Sequence, residues 1–333
     1  MSMRYAFLGS TGVKISTLAL GTMPFGGEGV DRALSRELFA RSRDAGINLF
    51  DCADVYNGGE SERILGELVA GCRDEVVITS KAYFPTSADA NARGSSRYHL
   101  RRAVEASLRR LGTDRIDLFF LHRFDEHTDI EDTLRTLDDL VSEGKILYPA
   151  ASNFAAWQVA KGLGVAARRG FAPFAAIQPM YNLAKRQAEV ELLPMAAAEG
   201  LAVLPYGPLG GGLLSGRYGV DRRPESGRLL DNKMYATRYA DPDNYAIAER
   251  FTALAGELGI HPASLAIAWV AAHPAVTAPL LGVRKTEHLE LALASLDIDM
   301  TCELYGRIAA LSPAPPPATD RNEESSSHNY GSR

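Results

Sequence analysis

The chain has 333 residues, 46% of them hydrophobic and 23% charged, with a mean hydropathy of −0.11. Its 36 Lys and Arg against 41 Asp and Glu leave a net charge of −5 and a pI near 5.9, which speaks against a nucleic-acid partner, because that needs a basic face. No apolar stretch approaches the roughly 20 residues of a membrane span, and three cysteines (Cys52, Cys72 and Cys302) are too few and too scattered for a disulfide framework or a zinc cluster. The opening MSMRYAFLGSTGVKIS carries no signal-peptide pattern, so the expected compartment is a reducing cytoplasm.

In chain order, YAFLGSTGVKIS reads as a hairpin turning around Ser10–Gly12. Short apolar, β-rich runs then alternate with longer amphipathic segments. The strands are STLALGT, INLFDCA, EVVITSK, IDLFFLH, ILYPAAS, FAAIQPM, LAVLPYG and APLLGV. Helical patterns between them include SRELFARSRDAG, SERILGELVAG, SSRYHLRRAVEASLRRLG, DIEDTLRTLDDLVSEGK and AEVELLPMAAAEG. The first opens on Ser35 as a cap and stops at Gly46, and the fourth stops at Gly144. Continuous apolar strands separated by helices predict a parallel sheet under a helical layer.

About eight strand–helix units in about 300 residues match the size and repeat of a (β/α)8 barrel. A doubly wound open sheet fits less well, because no G-x-G-x-x-G follows the first strand and no break marks a second domain. The expected architecture is an α/β TIM barrel over residues 1–311, with the N-terminal β-hairpin as a plug and extra helices beyond the eight. Residues 214–244 lack periodicity and are too long for a connector, which marks them as a functional loop over the site. Residues 312–333, rich in Pro, Ser and charge, are expected to form a disordered tail.

Barrels of this kind build their sites at the C-terminal ends of the strands. Asp51 ends the second strand, Tyr56 follows in its loop, Lys81 ends the third and His122 the fourth. Singly, each has an ordinary reading: a solvated lysine, a hydrogen-bonded rim histidine, a packing tyrosine. Their joint placement on consecutive strand ends points to chemistry. The set lacks the matched nucleophile and base of a hydrolase, and one His with one Asp rarely holds a catalytic ion, so no metal is expected. It suits proton donation to a carbonyl. A tyrosine of pKa about 10 is protonated at neutral pH but sluggish as an acid, and a neighbouring ammonium is expected to lower that pKa. Asp51 would hold Lys81, and a neutral His122 would orient the carbonyl oxygen. No side chain supplies a hydride, so a nicotinamide cofactor is implied.

Longer strings make the reading specific. GINLFDCADVYNGGESERILGELV, ITSK, VEASLRRLGTDRIDLFFLH, ASNF, IQPMYN and PYGPLGGGLLSGRYG, between Gly9 and Leu296, together resemble the aldo-keto reductases. The last string is closest to the subgroup that includes the potassium-channel β-subunits. The resemblance implies NADPH-dependent reduction of an aldehyde or ketone to an alcohol. Tyr56 would be the general acid, Lys81 its pKa partner, Asp51 the residue tying Lys81, and His122 the carbonyl-orienting group.

The same resemblance implies that Ser152 and Asn153 hydrogen-bond the nicotinamide carboxamide beside Gln178, and that Tyr206 stacks on the ring. Gly21 and Thr22 would lie near ring and ribose, with Asp51 also touching the cofactor. The loop from Gly207 through Pro208, Leu209 and Gly212 to Gly216, then Arg217, would bring bare backbone to the pyrophosphate. LLGVRKTEHLE would be the adenosine end, using Gly282, Val283 and His288. There Arg284 and Lys285 precede a predicted helix N-terminus. A guanidinium with helix-end N–H groups suits the extra phosphate of NADP, so NADPH is expected over NADH. The substrate pocket would draw on Met23, Phe25, Tyr83, Phe84 and Phe124, for a small-molecule carbonyl with an apolar or aromatic part.

Some positions depart from the family pattern. Ala150 and Ala151 stand where many relatives have Gly-Val, and Pro149 removes a ladder donor from a central strand, so a local distortion is expected there. His288, Leu291 and Ala292 replace the family's adenine contacts, which implies a looser hold on adenine. Cys52 should face away from Asp51 into packing, and Trp157, on the next helix, reads as packing. Two alternatives stay open: an NADPH-binding, redox-sensing regulatory subunit with slow turnover, and a dehydrogenase working in the oxidative direction.

Overall fold

The computed structural model describes residues 3–27 and 29–325. Gly9 and Gly12, at φ 54° and 78°, turn the chain between β1 (Tyr5–Phe7) and β2 (Lys14–Ser16), which pair antiparallel. Eight further strands make one parallel sheet: β3 (Ala19–Gly21), β4 (Leu49–Asp51), β5 (Val77–Ala82), β6 (Ile116–Leu121), β7 (Ile146–Ser152), β8 (Ala176–Gln178), β9 (Ala202–Val203) and β10 (Leu280–Gly282). Their order is β10-β3-β4-β5-β6-β7-β8-β9, and each falls on a run that reads as a strand in the sequence. Backbone bonds from Ala278 N to Val203 O (3.3 Å) and from Leu280 N to Pro205 O (2.9 Å) join the two outer strands. The sheet closes into a (β/α)8 barrel.

Successive residues of a strand face opposite sides. Leu49, Leu118, Phe120, Ala150 and Ala176 point inward, where Leu8 and Ile15 of the hairpin join them at 0% exposure. A Cβ on Gly9 would lie 2.7 Å from the Gly200 carbonyl, so the hairpin turn fits tightly against the start of β9 and plugs that end. Phe50, Ile78, Phe119 and Leu121 point outward to the helices. Each enclosed Leu or Phe contributes roughly 1.5–3 kcal/mol. Two cores on one sheet are why the strands read as unbroken apolar runs.

The helices α1 (Arg32–Asp44), α2 (Glu60–Val69), α3 (Arg97–Leu111), α4 (Ile130–Ser142), α5 (Ala156–Arg169) and α6 (Leu192–Ala198) follow β3 to β8 in turn. The first starts ahead of Ser35. Asp31 is its cap, accepting from Leu34 N–H at 2.8 Å, and Ser35 lies inside, donating back to the Asp31 carbonyl at 2.7 Å. The sixth is shorter than its pattern: Gln187–Glu189 form a 3-10 turn, and α6 begins with Pro194 in its first turn, where a missing N–H costs little.

Pro149 does not distort β7. It pairs in register with Phe119, and its carbonyl accepts from Ala175 N–H at 2.8 Å. Its nitrogen faces the same side, one residue ahead of the first ladder pair with β8, Ala150 with Ala176. No ladder bond is lost.

Residues 214–244 carry α7 (Arg228–Asp231) and α8 (Lys233–Arg238), the latter capped by Asn232. Buried Leu214, Tyr218, Leu229 and Tyr239 anchor this segment. It is followed by α9 (Pro242–Glu257) and α10 (Pro262–Ala271), and α11 (Thr286–Leu293) and α12 (Cys302–Ala309) come after β10. Among the described residues no single helix is long and apolar enough to cross a membrane. Of the expected tail, 313–321 carry no helix or strand, Asn322–Ser325 form a 3-10 turn, and 326–333 lie outside the described residues.

Candidate active site

Adjacent strands β4 and β5 place Asp51 opposite Thr79, so the inward-facing Asp51 and Lys81 meet at the C-terminal mouth of the barrel. Lys81 Nζ lies 2.7 Å from each Asp51 carboxylate oxygen, 2.7 Å from the Cys52 carbonyl and 3.3 Å from the Tyr56 hydroxyl. Lys81 has no exposed surface. Buried charges persist when paired and hydrogen-bonded, and Asp51 also accepts from Thr79 Oγ1 at 2.7 Å and Gln178 Nε2 at 2.8 Å.

From Gln178 the network runs on. Its carbonyl accepts from Ser152 Oγ at 3.0 Å, and Asn153 Nδ2 donates to Ser152 Oγ and to the His122 carbonyl. Tyr206 OH donates to Asn153 Oδ1 at 2.8 Å. Asn153 holds a left-handed φ of 56°, which Asn tolerates better than most residues. Tyr56 is aimed by its loop: Asn57, Gly58 and Gly59 all have positive φ, and Asn57 Nδ2 donates to the Met23 and Phe25 carbonyls at 2.8 and 2.9 Å.

Burial pushes the Tyr56 phenol well above its usual pKa, and Asp51 pushes the same way. Burial outweighs the lowering expected from Lys81, and the net shift is upward. Tyr56 stays protonated. Burial also holds His122 well below the usual imidazole range, with Lys81 adding to the effect. This neutral ring stands edge-on to Tyr56 and Phe84, with centroids 6.0 and 4.9 Å apart, and its Nδ1 is buried without a hydrogen-bond partner among the described residues.

These residues open onto a cavity of about 1050 Å³, at the upper end of ligand-site sizes. Asp51, Tyr56, His122, Ser152, Asn153 and Gln178 line one end, with Gly21 and Tyr206 beside them. The wall continues along Gly207, Pro208, Leu209 and Gly212 to Arg217, Gly282, Val283, Arg284 and His288. A Cβ on Gly207 or Gly212 would meet nothing within 4 Å, so bare backbone faces open space there. Leu291 and Ala292 also reach the wall. Burial, then Arg284 and Lys285, hold His288 below its usual range, a field that an anion would relieve.

Other expected contacts do not reach the cavity. Thr22 is buried behind Gly21, its hydroxyl 3.0 Å from the Asp51 carbonyl and 2.9 Å from Ser61 Oγ. Gly216 packs on Pro262, Lys285 is exposed just before α11, and Lys81 works from beneath Asp51. Met23 and Phe84 line the cavity. Phe25 is enclosed in the helix-side core, Tyr83 stands edge-on to Phe84 at 5.3 Å, and Phe124 packs on Phe154 and the exposed Trp157. A residue following a strand is free to turn away from the mouth. Cys52 packs as expected, its Sγ 3.1 Å from Ser61 Oγ, and burial pushes the thiol up to about 12.

Several wall residues escaped sequence reasoning. Arg228, Met234, Tyr235, Arg238 and Tyr239 come from the covering segment, and Arg123 follows β6. A Cβ on Gly211 would lie 2.7 Å from the Tyr235 ring. The only signal was a run of glycines followed by an aperiodic stretch rich in Tyr and Arg.

A family model described as the aldo/keto reductase family matches residues 17–313. The chain belongs to the aldo/keto reductase family. It is 36% identical over 328 residues to the uncharacterized oxidoreductase YrpG of Bacillus subtilis, covering 94% of this chain and 97% of that protein. It is 32% identical to a probable voltage-gated potassium channel subunit beta of Oryza sativa, covering 96% and 99%. It is 33% identical to the versiconal hemiacetal acetate reductase of Aspergillus parasiticus, covering 90% and 94%. As an aldo-keto reductase it is an oxidoreductase, of a family whose chemistry is carbonyl reduction with a nicotinamide cofactor.

Proposed function

We propose that this aldo-keto reductase converts a small aldehyde or ketone to an alcohol with NADPH, using Tyr56 as the general acid. The reading is carried by one observation. The Tyr56 hydroxyl lies 3.3 Å from an ammonium locked by two 2.7 Å bonds to Asp51.

A bound nicotinamide cofactor supplies the hydride that no side chain can. The residues present fit such a group. Ser152, Asn153 and Gln178 suit a carboxamide, Tyr206 offers a flat face, and Gly207 and Gly212 leave bare backbone for a pyrophosphate. Arg284, two residues ahead of α11, supports NADPH over NADH, because a guanidinium near helix N–H groups suits the additional phosphate.

In the reaction Tyr56 donates its proton to the carbonyl oxygen as the carbonyl carbon is reduced. The phenolate left behind is stabilised by the Lys81 ammonium, so the interaction strengthens only as charge develops. His122, being neutral, hydrogen-bonds the same oxygen without competing as the acid. Met23, Phe84 and Tyr235 shield this end from water.

The test is loss of NADPH absorbance with aromatic aldehydes, methylglyoxal, an aldose and an aromatic ketone, with NADH in parallel. Turnover with NADPH and little with NADH is the expected result. NADPH binding without turnover of any carbonyl would contradict it. That outcome would favour a redox-sensing regulatory subunit, a reading supported by the 32% identity to a channel β-subunit.

A further inference from the structure

Among the described residues, Asp51 is the one acidic side chain that lines the cavity, and Lys81 already grips it. Five arginines share that wall: Arg123, Arg217, Arg228, Arg238 and Arg284. This is unusual for a chain of net charge −5. Its surface arginines are commonly matched, as Arg32 is by Glu60 and Glu67, and Arg101 by Glu143. Arg123 and Arg238 have no carboxylate in ion-pairing range among the described residues. Arg217 and Arg284 belong to the end proposed for cofactor phosphates. Arg123 and Arg238 do not.

Arg123 directly follows His122 and is exposed at the mouth. Arg238 ends α8, its guanidinium 5.1 Å from the centre of the Tyr235 ring, with Nη2 3.7 Å from Met234 Sδ. Burial raises the Tyr206 phenol and Arg238 opposes that rise, so its charge is felt at the ring that hydrogen-bonds Asn153. Stacking on an aromatic face fixes a guanidinium while leaving in-plane N–H groups to donate.

We propose that Arg238, together with Arg123, receives a carboxylate on the substrate, so that the preferred substrate is an aldehyde or ketone that also carries a carboxylic acid. The inference rests on the reductase reading above. A guanidinium presents a planar fork that matches a carboxylate with two parallel bonds. A partly enclosed cavity strengthens such bonds relative to open water. Met23, Phe84 and Tyr235 supply apolar surface for the body of a molecule that joins the two groups.

The test compares para-carboxybenzaldehyde with its uncharged methyl ester, in the wild type, Arg238→Gln and Arg238→Lys, with NADPH affinity measured alongside. The wild type is expected to favour the acid in kcat/KM by about ten-fold or more, as a charge-assisted hydrogen bond allows. In Arg238→Gln the KM for the acid rises, and the loss with the acid exceeds that with the ester by about ten-fold. NADPH affinity holds, and Arg238→Lys recovers part of the preference. Added salt weakens turnover of the acid more than of the ester. Equal use of acid and ester by the wild type overturns the inference and leaves the reductase reading standing. So does a parallel loss for both substrates in Arg238→Gln with weakened NADPH binding. Failure to reduce either aldehyde while NADPH binds overturns the reductase reading, and this inference with it.

Discussion

Lys81 and Asp51 stand on neighbouring parallel strands and share an ion pair of 2.7 Å to both carboxylate oxygens, closed off inside the barrel mouth. A pair of this kind contributes little net stability, since well-packed neutral groups in its place are often as stable or more so. Its value is positional: it fixes an ammonium 3.3 Å from Tyr56 OH.

Breaking the pair from one side is therefore expected to be costly. Lys81→Met leaves the Asp51 carboxylate buried with only Thr79 and Gln178 as donors, and such a loss costs about 3–5 kcal/mol. Adding Asp51→Asn to the same chain removes the stranded charge. The double variant should regain most of the stability and none of the turnover. Denaturant midpoints and kcat measured together check this, and a double variant no more stable than the single one would contradict it.

At the other end of the cavity, Arg284→Ala is expected to weaken NADPH by about ten-fold or more, the scale of a lost charge-assisted bond, and to barely change NADH. Titration of both cofactors decides the matter. An equal loss for the two would show that Arg284 does not read the additional phosphate.

The barrel was legible in the sequence because burial on two faces forces runs such as IDLFFLH, in which Leu118 and Phe120 face inward and Phe119 and Leu121 outward. Asp51, Lys81 and His122 were legible because strand ends are where a barrel gathers chemistry. The orientation of loop residues was not. Phe25 and Phe124 follow strands yet are drawn into packing, because the course of each loop depends on distant neighbours. Tyr235 and Arg238 lie far from Tyr56 in the chain, and no periodicity marks their segment. The direction of the Tyr56 shift depended on how deeply the fold buries the phenol, which residue order does not encode.

Asp54 gives a pH test of stability. It is 2% exposed, both carboxylate oxygens lack a hydrogen-bond partner among the described residues, and burial, then Glu62, pushes its carboxyl up to about 8. A free aspartate titrates near about 3.9, so between the two values the folded chain keeps a proton that the unfolded chain has lost. Stability from the protonated form is complete below about pH 4 and drains away as pH rises to about 8. Asp54→Asn should therefore flatten the fall in melting temperature between about pH 5 and about pH 8. Parallel pH profiles for variant and wild type would contradict this.

That Tyr56 delivers the proton is tested most directly by Tyr56→Phe. The measurement is NADPH oxidation with whichever aldehyde the wild type reduces fastest, alongside NADPH binding followed by quenching of tryptophan fluorescence. A general acid typically contributes about a hundred-fold to ten-thousand-fold, so the variant should bind NADPH as before and turn over at least about a hundred-fold more slowly. A variant that binds NADPH equally well and reduces the aldehyde at nearly the wild-type rate would show that the proton comes from elsewhere.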